Sequence, residues 1–131
     1  MNLQLSNNEK IVHAVLEKSS KPLKAYSILF EIQKKGIKSP TQVYRALDKL
    51  IEIGKVHKIK SKNSYIACKN TKCINKSSTT FLICDSCEKI TEIEEETISK
   101  HFSAICNQLS SKYSNHSLEI FGTCVSCNKD N

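Results

Sequence analysis

Residues 39–68, SPTQVYRALDKLIEIGKVHKIKSKNSYIAC, change their period halfway along. In the first part the apolar side chains Val43, Ala46, Leu47, Leu50 and Ile51 return every three or four positions, as on one face of a helix. Ser39 offers a capping hydroxyl, Pro40 suits the first helical position, and Gly54 stops the run. Beyond it, KVHKIK and SYIAC alternate apolar and polar residues around Ser61-Lys62-Asn63, the pattern of a β-hairpin.

Upstream, residues 7–18 place Ile11, Val12, Val15 and Leu16 at helical spacing, with Asn7 or Asn8 as the expected cap. SSKP breaks that pattern. A second stripe of Leu23, Tyr26, Ile28, Leu29 and Ile32 runs through residues 23–35 and ends at Gly36. Three helices followed by a two-stranded ribbon predict a winged helix-turn-helix over residues 1–68. Residues 69–78, KNTKCINKSS, are polar and unpatterned, and predict a hinge.

The remainder predicts strands in TTFLIC and KITEIE, a helix over residues 95–111 with Ile98, Phe102, Ile105 and Leu109 on one face, and a last strand in SLEIFG. The acidic run Glu94 to Glu96 suits the positive end of that helix. Residues 79–131 thus form a small α/β unit, and the chain as a whole is of the α+β class. A unit of this size usually draws support from a metal or from oligomerisation.

Two cysteine pairs flank that unit: Cys84-x-x-Cys87 and Cys124-x-x-Cys127. Each spacing lets a tight turn aim two sulfurs at one point. Two such knuckles complete a tetrahedron around Zn²⁺, a closed structural site with no open position for a substrate. The competing chemistry is thiol–disulfide exchange, which more typically uses a single pair at the start of a helix. Of the other cysteines, Cys106 reads as a small buried side chain, while Cys68 ends the ribbon and Cys73 lies in the hinge, where two domains meet.

Charge divides along the same line. Residues 1–76 hold 16 Lys+Arg against 5 Asp+Glu, whereas residues 77–131 hold 4 against 8. A basic front half suits a polyanion. Helix 39–53 is its natural reading element, with Thr41, Gln42, Tyr44 and Arg45 exposed in the first turns and Arg45 able to pair with guanine. Tyr26 is a further candidate contact. Lys58, Lys60 and Lys62 on the ribbon, with Lys24 and Lys38, are placed for phosphates. No apolar run approaches the roughly 20 residues of a membrane span, and MNLQLSNNEK lacks the pattern of an export signal, so a cytoplasmic address is expected. No nucleophile–base pair points to an enzyme, and no small-molecule substrate is expected.

KPLKAYSILFEI, PTQVYRALDKLIEIGKVHKIKSKNSYIAC, FLICDSC and HSLEIFGTCVSC together resemble the ferric-uptake-regulator superfamily, and within it the zinc-uptake-regulator branch. The resemblance covers about residues 20–128 in order. It implies a homodimeric repressor with a DNA-binding front domain, a dimerising rear domain around the four-cysteine zinc, and a second, regulatory zinc between them. The positions matching that second site are His57, Cys68 and Glu92. Its fourth ligand, a histidine seven residues before the first paired cysteine, falls on Ser77, and Cys73 is the nearest substitute. At the N-terminus, Leu5-Ser6-Asn7-Asn8-Glu9 stands where relatives usually carry a basic segment. Two alternatives stand beside this one. The first is a regulator of the same superfamily answering to iron, manganese, peroxide or thiol oxidation, and the second is a thiol oxidoreductase using its CxxC pairs.

Overall fold

Ser6, rather than Asn7 or Asn8, caps the first helix. Its hydroxyl accepts the Glu9 backbone N–H at 3.2 Å, and the Glu9 carboxylate accepts the Ser6 N–H at 3.1 Å, a reciprocal capping box. This helix, α1 (Asn7–Lys18), is followed by α2 (Ala25–Ile32), a short 3₁₀ turn (Gln33–Lys35) and α3 (Pro40–Glu52). Gly36 ends the 3₁₀ turn at φ 94°, in the left-handed region that glycine enters without steric cost. At α3 the Ser39 hydroxyl accepts the Gln42 N–H at 3.2 Å, with Pro40 at the first helical position.

The computed structural model describes residues 4–69, 78–93 and 96–128. It divides into two units, Met1–Asn75 and Lys76–Asn131. In the first, the antiparallel ribbon β1 (Val56–Ile59) and β2 (Ser64–Ala67) follows α3, turning through Lys60–Lys62 and through Asn63 at φ 47°. Leu23 and Tyr65 exchange backbone hydrogen bonds of 2.9 and 2.8 Å, tying the α1–α2 connection to the ribbon. The core is one cluster. It joins Val12 and Leu16 of α1, Ala25, Ile28 and Ile32 of α2, Val43, Ala46, Leu47 and Leu50 of α3, and Val56, Tyr65 and Ala67 of the ribbon. Tyr26, expected on the apolar stripe of the second helix, instead points outward with 81% of its surface exposed, and Ala25 takes the inward position.

The second unit is a three-stranded sheet in the order β4-β3-β5, with β3 (Thr79–Cys84) at its centre. β4 (Ile90–Glu92) pairs with β3 antiparallel, while β5 (Ser117–Gly122) pairs with it in parallel after crossing through α4 (Glu96–Gln108). Parallel pairing needs such a crossover. The helix is shorter than the 95–111 span expected: Ser110 and Ser111 lie beyond it, and Ser110 takes φ 57°. None of its residues is buried, and Cys106 is half-buried rather than enclosed.

Candidate metal centre and nucleic-acid interface

The register of β3 against β5 brings the two cysteine pairs together. Cys84, the last residue of β3, stands opposite Gly122, the last of β5, two residues before Cys124. Each pair then closes a turn. The Glu88 N–H donates to the Cys84 carbonyl at 3.0 Å, and the Cys127 and Asn128 N–H groups donate to the Cys124 carbonyl at 3.0 and 2.9 Å. The sulfurs of Cys84, Cys87, Cys124 and Cys127 all lie within 4.8 Å of one another. Cys87 and Cys124 Sγ are 3.7 Å apart. Four sulfurs about 2.3 Å from a tetrahedral zinc stand about 3.8 Å from one another, so the donor set fits that ion. All four are free thiols.

Backbone donors already favour thiolate at this point. The Cys124 N–H, 3.3 Å from Cys84 Sγ, is the largest of the influences that lower the Cys84 thiol to about 6. Hydrogen bonding to the Cys124 and Cys84 sulfurs instead raises Cys127 to about 12. The set holds one ready anion and one reluctant one. A divalent cation is the group that lets all four be anionic together.

A second pair of metal-competent side chains belongs to the ribbon. His57 stands opposite Ile66 in the β1–β2 register, and Cys68 lies two residues beyond Ile66, so His57 and Cys68 share a face of the ribbon. The Cys68 N–H donates to the Lys55 carbonyl at 2.9 Å, which holds the end of the ribbon in place. The ligand atoms of His57 and Cys68 lie within 4.8 Å of each other. His57 is buried and Cys68 half-buried. Glu92, on β4 of the second unit, is half-buried and stands opposite Phe81. Cys73, Ser77 and most of the 69–78 hinge lie outside the described residues.

On α3 the inward stripe leaves the opposite face to solvent: Thr41, Gln42, Tyr44 and Arg45 are all exposed. Among the described residues Arg45 makes no ion pair with Asp48, the neighbour that would most simply occupy it. Gln42 is partly committed, because its Oε1 accepts the Lys38 N–H at 3.3 Å. Tyr26 projects from the first turn of α2. Lys58 and Lys60 are exposed and Lys62 half-exposed around the ribbon turn.

Two further features show only in the folded chain. The Lys58 amine lies over the Tyr65 ring, 5.8 Å from its centre. In the second unit, His116 Nδ1 lies 2.6 Å from the Tyr113 hydroxyl and its Nε2 lies 2.9 Å from Thr80 Oγ1. The His116 N–H donates to Ser78 Oγ at 3.2 Å, fastening the start of β3 to the start of β5. Neither carries a local spacing signal; both depend on strand register.

Residues 1–121 match the Ferric uptake regulator family. The zinc uptake regulation protein of Escherichia coli (strain K12) is 34% identical over 88 residues, 67% of this chain and 51% of that protein, and the protein of the same description from Shigella flexneri matches equally. The chain thus spans about half the length of the curated relatives it matches. Among solved structures, holo XcZur is similar with a TM-score of 0.87 and 32% identity, over 98% of this chain and 89% of its own. A zinc uptake regulator complexed with zinc and DNA has a TM-score of 0.87 at 26% identity, over 98% of this chain and 85% of its own. A fold of winged helix, paired CxxC knuckles and mixed sheet, together with a match across nearly all of its length, places this chain in the ferric uptake regulator family.

Proposed function

We propose that the chain is a zinc-responsive transcriptional repressor that binds operator DNA as a homodimer, a cytoplasmic regulator rather than an enzyme. The observation that carries this reading is the pairing, in one small unit, of an exposed helix bearing Arg45 with a ribbon that presents His57 and Cys68 as a half-set of metal ligands. The likeness to a zinc uptake regulator complexed with zinc and DNA supports it. Among the described residues no helix is long and apolar enough to cross a membrane.

Four residues would hold a structural zinc: Cys84, Cys87, Cys124 and Cys127. His57 and Cys68 from the first unit and Glu92 from the second would hold a regulatory one, with Cys73 as its fourth ligand. Zinc, when bound, supplies strong bonds to all these donors and no redox chemistry. His57 and Cys68 belong to the domain that meets DNA and Glu92 to the one that dimerises. Engaging all three together favours one arrangement of the domains over others. In a two-fold dimer that arrangement sets the separation of the two α3 helices, which must reach major grooves about 34 Å apart. Arg45 then reads a base, with Thr41, Gln42, Tyr44 and Tyr26 beside it. Lys58, Lys60 and Lys62 neutralise phosphates. Leu82 and Ile120, cross-strand partners each about two-fifths exposed, and Leu109 at 72% supply apolar surface in the second unit for a partner copy to cover.

Elemental analysis before and after mild chelation, alongside binding to an operator selected from a random duplex pool, tests this. About two zinc per chain are expected, one of them lost together with DNA binding. Cys68→Ser keeps the dimer and loses zinc-dependent binding, while Arg45→Ala costs about 1–3 kcal/mol on the selected operator and less on random duplex. A single tightly held zinc, with binding indifferent to chelation, would point instead to a family member answering to another signal. Equal losses on both duplexes would remove Arg45 from base reading.

A further inference from the structure

Tyr65 is enclosed, with only 4% of its surface exposed, yet its surroundings are not those of an ordinary core aromatic. Its backbone is held on both sides, by β1 through the Lys58 pairing and by Leu23 of the α1–α2 connection. Lys58, its direct cross-strand partner, places its amine 5.8 Å from the ring centre. Tyr44 and Asp48 of α3 are close enough to the phenol to help raise its pKa above 10.0, after burial, which is the main cause. One ring therefore belongs to the ribbon, packs in the core cluster that the reading helix shares, and carries a lysine on its face.

We propose that Tyr65 is a positioning residue for nucleic-acid binding, its ring holding the Lys58 amine at a fixed place relative to α3 so that the ribbon and the helix engage one duplex together. The proposal rests on the DNA-binding reading above. A lysine has a long flexible stem, and freezing it at the interface costs conformational entropy. A cation resting on an aromatic face spends part of that cost before DNA arrives. The Tyr65 hydroxyl is not what the cation needs; the π face is. Replacement by phenylalanine and replacement by leucine therefore separate.

The test uses the zinc-loaded full chain and a mixed-sequence 40-base-pair duplex, because a phosphate contact acts on any sequence. Tyr65→Phe binds as the parent does. Tyr65→Leu weakens binding roughly two- to fivefold. Lys58→Ala weakens it too and lowers the salt slope by about one per chain. The double variant Lys58→Ala/Tyr65→Leu is no weaker than Lys58→Ala alone, since the ring acts only through the lysine. In the parent, the Lys58 side-chain methylene resonances next to the amine are shifted upfield by the ring, a signature readable without DNA and lost in Tyr65→Leu. Independent, additive losses in the double variant would overturn the proposal, and so would unshifted Lys58 resonances in the parent. A Tyr65→Phe variant as weak as Tyr65→Leu would overturn it as well. If the parent binds neither this duplex nor the selected operator, the DNA-binding reading itself fails, and the role of Tyr65 falls with it.

Discussion

The two units solve the problem of small size in opposite ways. In the first, three helices and a ribbon all contribute to one apolar cluster, and Val12, Ile28, Ile32, Val43, Leu47, Leu50 and Val56 are wholly enclosed. In the second, the buried apolar side chains among the described residues are Phe81, Ile83 and Cys84, all from β3. No residue of helix α4 is fully buried, and Phe121 remains 49% exposed. On the proposed reading, a unit so poor in core would draw its stability from elsewhere: from a zinc in the four-sulfur set that joins the end of β3 to the turn after β5, and from a second copy covering its apolar surface. The difference teaches that the front half carries a closed core of its own, whereas the rear half leaves most of its apolar side chains to be covered by something else.

Removing a cage ligand is the strongest way to break this contrast. Binding of a structural zinc is worth on the order of 10 kcal/mol or more in small domains that depend on it. Cys124→Ser is expected to abolish tight zinc retention, to leave β3 and β5 amides unprotected against hydrogen exchange, and to shift the chain to monomer. Amides of α1 and α3 keep their protection, because their packing is independent of the sulfurs. A zinc-free, dimeric Cys124→Ser chain with intact β5 protection would contradict the division of roles.

The converse experiment is smaller. Leu47 is fully buried in the middle of the front cluster. Leu47→Ala deletes three carbons from a closed site and is expected to cost about 2–5 kcal/mol. Exchange should rise across α1, α2, α3 and the ribbon together, while zinc content and dimerisation stay as in the parent. Loss of zinc from the Leu47→Ala chain would show that the cage leans on the front core after all.

How much of this was legible in the sequence follows from the range of each signal. The helix at 40–52 carries its own cap, its own stripe and its own stop, so local residues were enough. The cysteine knuckles were equally local, each a two-residue gap, although the parallel β3–β5 register that brings them together was not. Two misreadings were local as well. Ser6-x-x-Glu9 is a capping box, and the two asparagines beside it, themselves good capping residues, mask it. Tyr26 reads as inward in the sequence because Ala25, a small residue in the true stripe with Ile28 and Ile32, gives a weak hydrophobic signal. The placing of Lys58 over Tyr65 and the His116 cluster depend on which residues face each other across strands, and no spacing within a single segment reports that.

The smallest expected effect probes how dry the edge of the front core is. His13 on α1 is half-buried, with Nδ1 3.3 Å from a Glu17 carboxylate oxygen. Burial lowers its pKa from 6.5. Glu17 opposes that shift and Lys55 adds to it, and the net direction is downward. A base with a lower pKa in the folded state binds fewer protons there than in the unfolded chain. Stability therefore rises with pH through this window: the full contribution is present above pH 6.5 and is lost as pH falls through the depressed value. His13→Gln removes the titration while keeping a polar side chain beside Glu17. The difference in unfolding free energy between parent and His13→Gln, followed by denaturant titration from pH 7.5 downward, should be flat above 6.5 and turn against the parent below it. Had the carboxylate of Glu17 outweighed burial, the difference would run the other way and the parent would gain on acidification. That outcome would mean the α1 edge is wetter than the enclosed Val12 and Leu16 beside it suggest, and the contrast between a dry front unit and an open rear one would narrow.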